Sequence, residues 1–90
     1  MTKIVNKIIK SQIGIDALLA SQLTSLSSQF ASDIIISLPK LGKSGDLKSL
    51  INLMSLNIRL HDEIEIKFVG SDAEKAANLI VEFLENEKIC

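Results

Sequence analysis

From Glu63 to Phe68 the chain reads Glu-Ile-Glu-Ile-Lys-Phe, charged and apolar in strict alternation. A strand turns successive side chains to opposite faces. This segment therefore has one face for a core (Ile64, Ile66, Phe68) and one for water (Glu63, Glu65, Lys67). A helix follows at once. Ser71 and Glu74 have the S-x-x-E spacing of a capping box, and Ala73, Ala76, Ala77, Ile80, Phe83 and Leu84 then fall on one helical face. Strands and helices that each offer a single apolar side pack best as helices on one face of an antiparallel sheet.

The rest of the chain supplies parts for the same plan. Residues 3–9 are β-rich and predict a strand, but its register stays open because Ile4 and Ile8 lie on one parity and Val5 and Ile9 on the other. Leu19, Leu23, Leu26 and Phe30 recur at helical spacing and predict a helix of about four turns, with Asp16 before it as N-cap and the serines of 21–28 on its wet side. Asp33–Leu38 predicts a second strand. Pro39 to Asp46 mixes turn signals with weak strand formers and predicts a long hairpin with a poor third strand at a sheet edge. Ser49 opens a short helix through Leu50, Ile51, Leu53 and Met54, and Asn57 stands where a left-handed cap would close it. The order is β-α-β-β-α-β-α: an α+β fold with a four-stranded antiparallel sheet and three helices on one face.

Composition narrows the function. Ninety residues with 47% hydrophobic and 3% aromatic side chains, and no Trp or Tyr, predict one domain over 1–90 with an aliphatic core. A net charge of −1 gives no basic footprint for nucleic acid and no electrostatic membrane anchor. Its apolar runs fall far short of the roughly 18 residues of a membrane span. A single cysteine, Cys90, rules out an internal disulfide and fits a reducing cytoplasm. His61, the only histidine, lies beside Asp62 and reads as a surface residue. With no Cys/His cluster and no glycine-rich phosphate loop, neither metal nor cofactor is expected.

Three stretches, in order, carry a resemblance. Gly14-Ile15-Asp16-Ala17-Leu18-Leu19-Ala20 is similar to the G-[IL]-H-[AT]-R-P-A motif of HPr, the phosphocarrier family of the bacterial sugar phosphotransferase system. Leu47-Lys48-Ser49-Leu50-Ile51-Asn52-Leu53-Met54-Ser55-Leu56 resembles its L-K-S-I-M-G-V-M-S-L. Glu63–Ile66 and Gly70–Glu74 match its last strand and last helix start. The resemblance covers essentially the whole chain and implies the family's open-faced β-sandwich, the architecture already reached from periodicity.

The chain departs from the family at the chemistry. The resemblance puts the phosphoryl-accepting histidine at Asp16, the phosphate-binding arginine at Leu18 and the following proline at Leu19. Imidazole is a good nucleophile at neutral pH, and arginine with the helix N–H groups holds the phosphoryl charge. Only the helix N-terminus survives here. Asp16 as an acceptor would form an acyl phosphate, but such sites bring a metal or cation, and the nearest basic residue in sequence is Lys10. Capping explains Asp16 without that chemistry. At Ser49 the motif is nearly intact, and the resemblance implies regulatory phosphorylation by an ATP-dependent kinase; the plain alternative is an N-cap, and the two are compatible. Leu50, Ile51 and Met54 occupy positions implied to form an apolar patch for partner proteins, and a helix this short cannot turn all of them inward.

The expectation is therefore a non-enzymatic HPr-like protein without histidine transfer, similar in that respect to the catabolite-repression HPr homologue. Its expected partners are proteins: a serine kinase, phosphotransferase-system components or a transcriptional regulator. It is expected as a monomer or weak homodimer. The alternatives are a phosphocarrier working through Asp16, and a scaffold that is never phosphorylated.

Overall fold

The alternation from Glu63 to Phe68 becomes the hub of the sheet. In the computed structural model, which describes residues Met1–Cys90, the strands are β1 (Thr2–Ile8), β2 (Asp33–Leu38), β3 (Lys43–Asp46) and β4 (Glu63–Val69). The helices are α1 (Ala17–Ser27), α2 (Leu50–Ser55) and α3 (Ala73–Asn86). All strand pairs are antiparallel and the sheet order is β1-β4-β2-β3, so β4 is paired on both edges. Ile64, Ile66 and Phe68 are buried beneath the helices, while Glu63 and Lys67 are exposed and Glu65 is half-buried on the open face. The molecule is the expected open-faced sandwich.

Pairing with β4 settles the register of β1. Val5 lies opposite Ile66, so Val5 and the fully buried Ile9 turn toward the helices, and Ile4 and Ile8 are left half exposed on the open face. β2 alternates in the same way: Ile34, Ile36 and Leu38 are buried and Ile35 faces out. A 3-10 turn over Pro39–Leu41 ends at Gly42, whose φ of 63° is in the left-handed region, and leads into β3 at the sheet edge.

Two readings of the helices need correction. α1 stops at Ser27 after 11 residues, so Phe30 is buried from the connection beyond it, and Leu19 and Leu26 are only half-buried. Its inward stripe is Ala20, Leu23, Thr24 and Ser27, so part of the serine-rich run lies inside. A short hydroxyl can be buried in a helix by donating back to a carbonyl one turn earlier. Ser27 Oγ donates to the Leu23 carbonyl at 2.8 Å and Thr24 Oγ1 to that of Ser21 at 3.0 Å.

The second correction is the capping box. The N-cap of α3 is Asp72, not Ser71, and no side chain caps this helix. The Asp72 carboxylate reaches across the fold instead, accepting the Ala31 and Ser32 N–H groups at 2.9 Å each and the Ser32 hydroxyl. Gly70 makes this approach possible. Its φ is 153°, and a Cβ there would lie 2.7 Å from the Ser32 Cα. The hydrogen bond from the Ser32 hydroxyl, with that from the Ala31 N–H, holds the Asp72 carboxyl below its ordinary pKa.

α3 ends in a motif that spacing did not disclose. Lys88 adopts φ 56°, Ile89 N–H donates to the Leu84 carbonyl at 2.9 Å and Lys88 N–H to that of Glu85 at 3.0 Å, a Schellman cap with Ile89 buried. The Ile89 carbonyl then accepts the Lys10 N–H at 2.7 Å, tying the end of α3 to the connection that leads into α1. Lys88→Gly, which relieves the left-handed strain on a residue with a Cβ, should raise stability by about 1 kcal/mol in urea denaturation. Because Asp72 is depressed in the folded state, its contribution is complete above the ordinary carboxylate range and is lost as pH falls through the lowered pKa. Asp72→Ala should therefore lower Tm at neutral pH. That deficit should shrink on acidification below about pH 4 in a thermal denaturation series.

Candidate functional site

The segment that carries Asp16 is held by glycine and by the connection between α2 and β4. Gly14 has φ 66° and packs on the backbone after α2; a Cβ there would overlap the Ile58 carbonyl and sit 2.9 Å from the Arg59 Cα. Ile15 N–H donates to the same Ile58 carbonyl at 3.4 Å. Asp16 then takes an extended conformation, φ −84° and ψ 179°, and caps α1. Its Oδ1 accepts the Leu19 N–H at 2.9 Å, while its carbonyl accepts that of Ala20 at 2.8 Å. The expected capping role is what the geometry provides. The two ion pairs of the chain, Lys7 with Glu85 and Lys40 with Glu63, leave Asp16 without a cation.

Leu19 matters twice. Its N–H is the cap donor, and its half-buried side chain packs against the core. Leu18 is 66% exposed and places a hydrocarbon, not a hydrogen-bond donor, beside the start of the helix. Ile13, in the preceding connection, is equally exposed and was not singled out by any helical or strand period.

Ser49 caps α2 in the same manner, with φ −108° and ψ 115° and its Oγ accepting the Asn52 N–H at 3.2 Å. It is half-buried, less open than expected, and hydrogen-bonded through its backbone to the end of β3. The Asp46 carbonyl accepts the Ser49 N–H at 3.0 Å, and Asn52 Oδ1 accepts the Asp46 N–H at 3.2 Å. In the six-residue α2, Leu53 is the buried side chain, while Leu50, Ile51 and Met54 are exposed, Ile51 at 80%. Asn57, at φ 53°, ends the helix as its position suggested. Asp16 abuts the C-terminal side of α2 through Gly14 and Ile58, and Ser49 opens its N-terminal side. The exposed residues of α2, about 9 Å of helix, therefore lie between them.

His61 takes no part in this arrangement. It is exposed with φ 74°, its N–H donates to the Ile9 carbonyl at 2.9 Å, and it lines a small groove with Leu41 and Asp62 near the start of β4. The largest groove runs beside Lys7, Glu85 and Cys90, where burial pushes the Cys90 thiol up. No group of three or more His, Cys, Asp or Glu side chains is close enough to hold a metal ion. No helix is long and apolar enough to cross a membrane. Asp16→Ala and Ser49→Ala should each lose about 1 kcal/mol in chemical denaturation through the missing cap, whereas Asp16→Asn, which keeps the accepting oxygen, should stay within a few tenths.

The family comparisons agree with this architecture. Residues 5–86 match the sequence family described as PTS-HPr, the PTS HPr component phosphorylation site. The chain is similar to the phosphocarrier protein HPr of Mycoplasma genitalium, 45% identical over 82 residues, covering 91% of this chain and 92% of that protein. To the HPr of Mycoplasma pneumoniae it is 38% identical over 87 residues, covering 97% and 98%. A solved histidine-containing phosphocarrier protein of Mycoplasma superposes with a TM-score of 0.91 at 32% identity, over 97% of both chains. These relatives are phosphocarriers rather than enzymes. With the family matched over nearly its full length and the sandwich reproduced, the chain belongs to the HPr family of the phosphotransferase system.

Proposed function

We propose that this HPr-family chain is a regulatory, protein-binding member of the phosphotransferase system, a single domain over 1–90 that performs no phosphohistidine transfer. In this reading Ser49 is its regulatory phosphorylation site, and Leu50, Ile51 and Met54 receive its partners. The observation that carries the reading is the bond between Asp16 and the Leu19 N–H. The family motif places histidine and proline at these two positions, and proline has no N–H to give. The aspartate and the leucine therefore belong together as a capping pair, with the carboxylate engaged in holding the helix. Leu18, at the arginine position, offers nothing to a phosphoryl group.

Ser49 is suited to modification of a kind that keeps the fold. Phosphate on an N-cap residue meets the positive end of its helix, so it adds charge beside Ile51 and Met54 without unfolding α2. The partners are proteins: a serine kinase, phosphotransferase-system components or a transcriptional regulator. The protein works in the cytoplasm without a cofactor, as a monomer or weak homodimer. On the open face Ile4, Lys67 and Ile35 share one row, and two copies stacked to match isoleucines would set Lys67 against Lys67.

Phosphoenolpyruvate with enzyme I should leave the intact mass unchanged, while ATP with the serine kinase should add one phosphate that Ser49→Ala abolishes. Labelling at Asp16 would establish the carrier reading, and an unmodified protein beside a modified ordinary HPr would establish the scaffold. Asp16→His alone should recover little transfer, and the triple change Asp16→His, Leu18→Arg, Leu19→Pro should recover much more, since the guanidinium supplies forked donors for phosphate and proline is tolerated in the first helical turn. Full recovery by the single histidine would overturn this account of the lost chemistry.

A further inference from the structure

The helices that carry Asp16 and Ser49 form a face almost without charge. Ten basic and eleven acidic residues are spread over the chain, yet the stretches 11–32 and 49–58 contain only Asp16. Ile13, Leu18, Ile51 and Met54 stand exposed there, on and beside two helices that pack on each other. Exposed apolar side chains with charges removed are the composition of an interface centre rather than of ordinary surface.

Asp16 is the exception within that face. Its Oδ1 is taken by the Leu19 N–H, its Oδ2 has no hydrogen-bond partner within the chain, and no cation of the chain pairs with it. Exposed to solvent, such a carboxylate is stable. Covered by a partner that excludes water, it becomes an uncompensated charge unless the partner brings a donor to Oδ2. The cations that border the face are engaged within the chain, Lys48 Nζ on the Phe30 carbonyl at 2.6 Å and the Arg59 guanidinium on the Asn57 side chain, so a second copy docking face to face offers none to Oδ2. We infer that the α1–α2 face docks a different protein, whose contact surface is apolar with one basic side chain seated on Asp16. The inference deepens the partner-binding reading of Ile51 and Met54 and rests on it. Arginine suits the position better than lysine, because one arm of its fork can take Oδ2 while its plane lies on Leu18.

The test uses the whole unphosphorylated chain and three synthetic helical peptides. They share one Leu/Met face and carry Arg, Gln or Glu at its centre, and binding is followed by amide chemical-shift titration. The Arg peptide should shift Leu18, Ile51 and Met54 and bind about tenfold tighter than the Glu peptide, with Gln between. Asp16→Asn retains the capping oxygen and so the helix, and it should bring the Arg-to-Glu ratio close to one. Equal affinities in the unaltered chain, a preference that survives Asp16→Asn, shifts on Ile4, Ile35 and Lys67 instead, or no binding by any peptide would each overturn the inference. The kinase experiment is separate: an Arg preference in a protein whose Ser49 is never modified keeps the docking face and removes the regulatory reading.

Discussion

Strand β4 is the element on which the others depend. It is the only strand hydrogen-bonded to β1 and β2 at once, and its three apolar residues form the floor on which the helices sit. Removing such side chains from a packed core typically costs about 3–5 kcal/mol for a phenylalanine and 2–5 kcal/mol for an isoleucine, a large share of the stability of a domain this small. Because β1 lies beside β4, Ile9 is brought to the turn at His61 and Asp62, with its N–H on the Asp62 carbonyl at 2.9 Å. The connection from Lys10 to Ile15 then runs along Ile89 and Ile58 and delivers Asp16 to the start of α1.

Two of the three helices in this fold begin at a side-chain cap. Four N–H groups are free at each helix start, and a side-chain oxygen, water or an anion can take them. Asp16 and Ser49 do so at α1 and α2 with local hydrogen bonds to the third residue beyond. The same free groups that make a capping site can receive a phosphate, so the cap at Ser49 and the modification proposed for it share one geometry. At Asp16 they do not. A carboxylate bound to Leu19 is a cap already carrying negative charge, and a second anion would meet repulsion there. That contrast separates the two helix starts in chemistry, although they stand on one surface with Ile51 and Met54 between them.

The fold also shows where local hydrogen bonding yields to distant partners. Asp72 sits at the start of α3, where a short acid normally caps. It gives that up for the amides of Ala31 and Ser32, some forty residues away in sequence. The exchange joins the connection after α1 to the turn after β4, at the end of the sheet where Gly70 lets the two backbones meet.

Features written in short-range pattern were legible from the chain alone: the period of two in β4, the caps Asp16 and Ser49, the left-handed Asn57 and the apolar excess of α2. Each depends on side chains within a few residues of one another, so their spacing is their geometry. The HPr motifs were legible too, and the family they imply is the one matched over residues 5–86. The register of β1 was not, because isoleucines fill both parities and only the pairing of Val5 with Ile66 chooses between them. Nor was the burial of Ser27, the capping of α3 or the left-handed Lys88. These were decided in tertiary structure, since a hydroxyl, a carboxylate or a helix end takes whichever donor or apolar contact the assembled fold brings nearest, and sequence spacing carries no record of that distance.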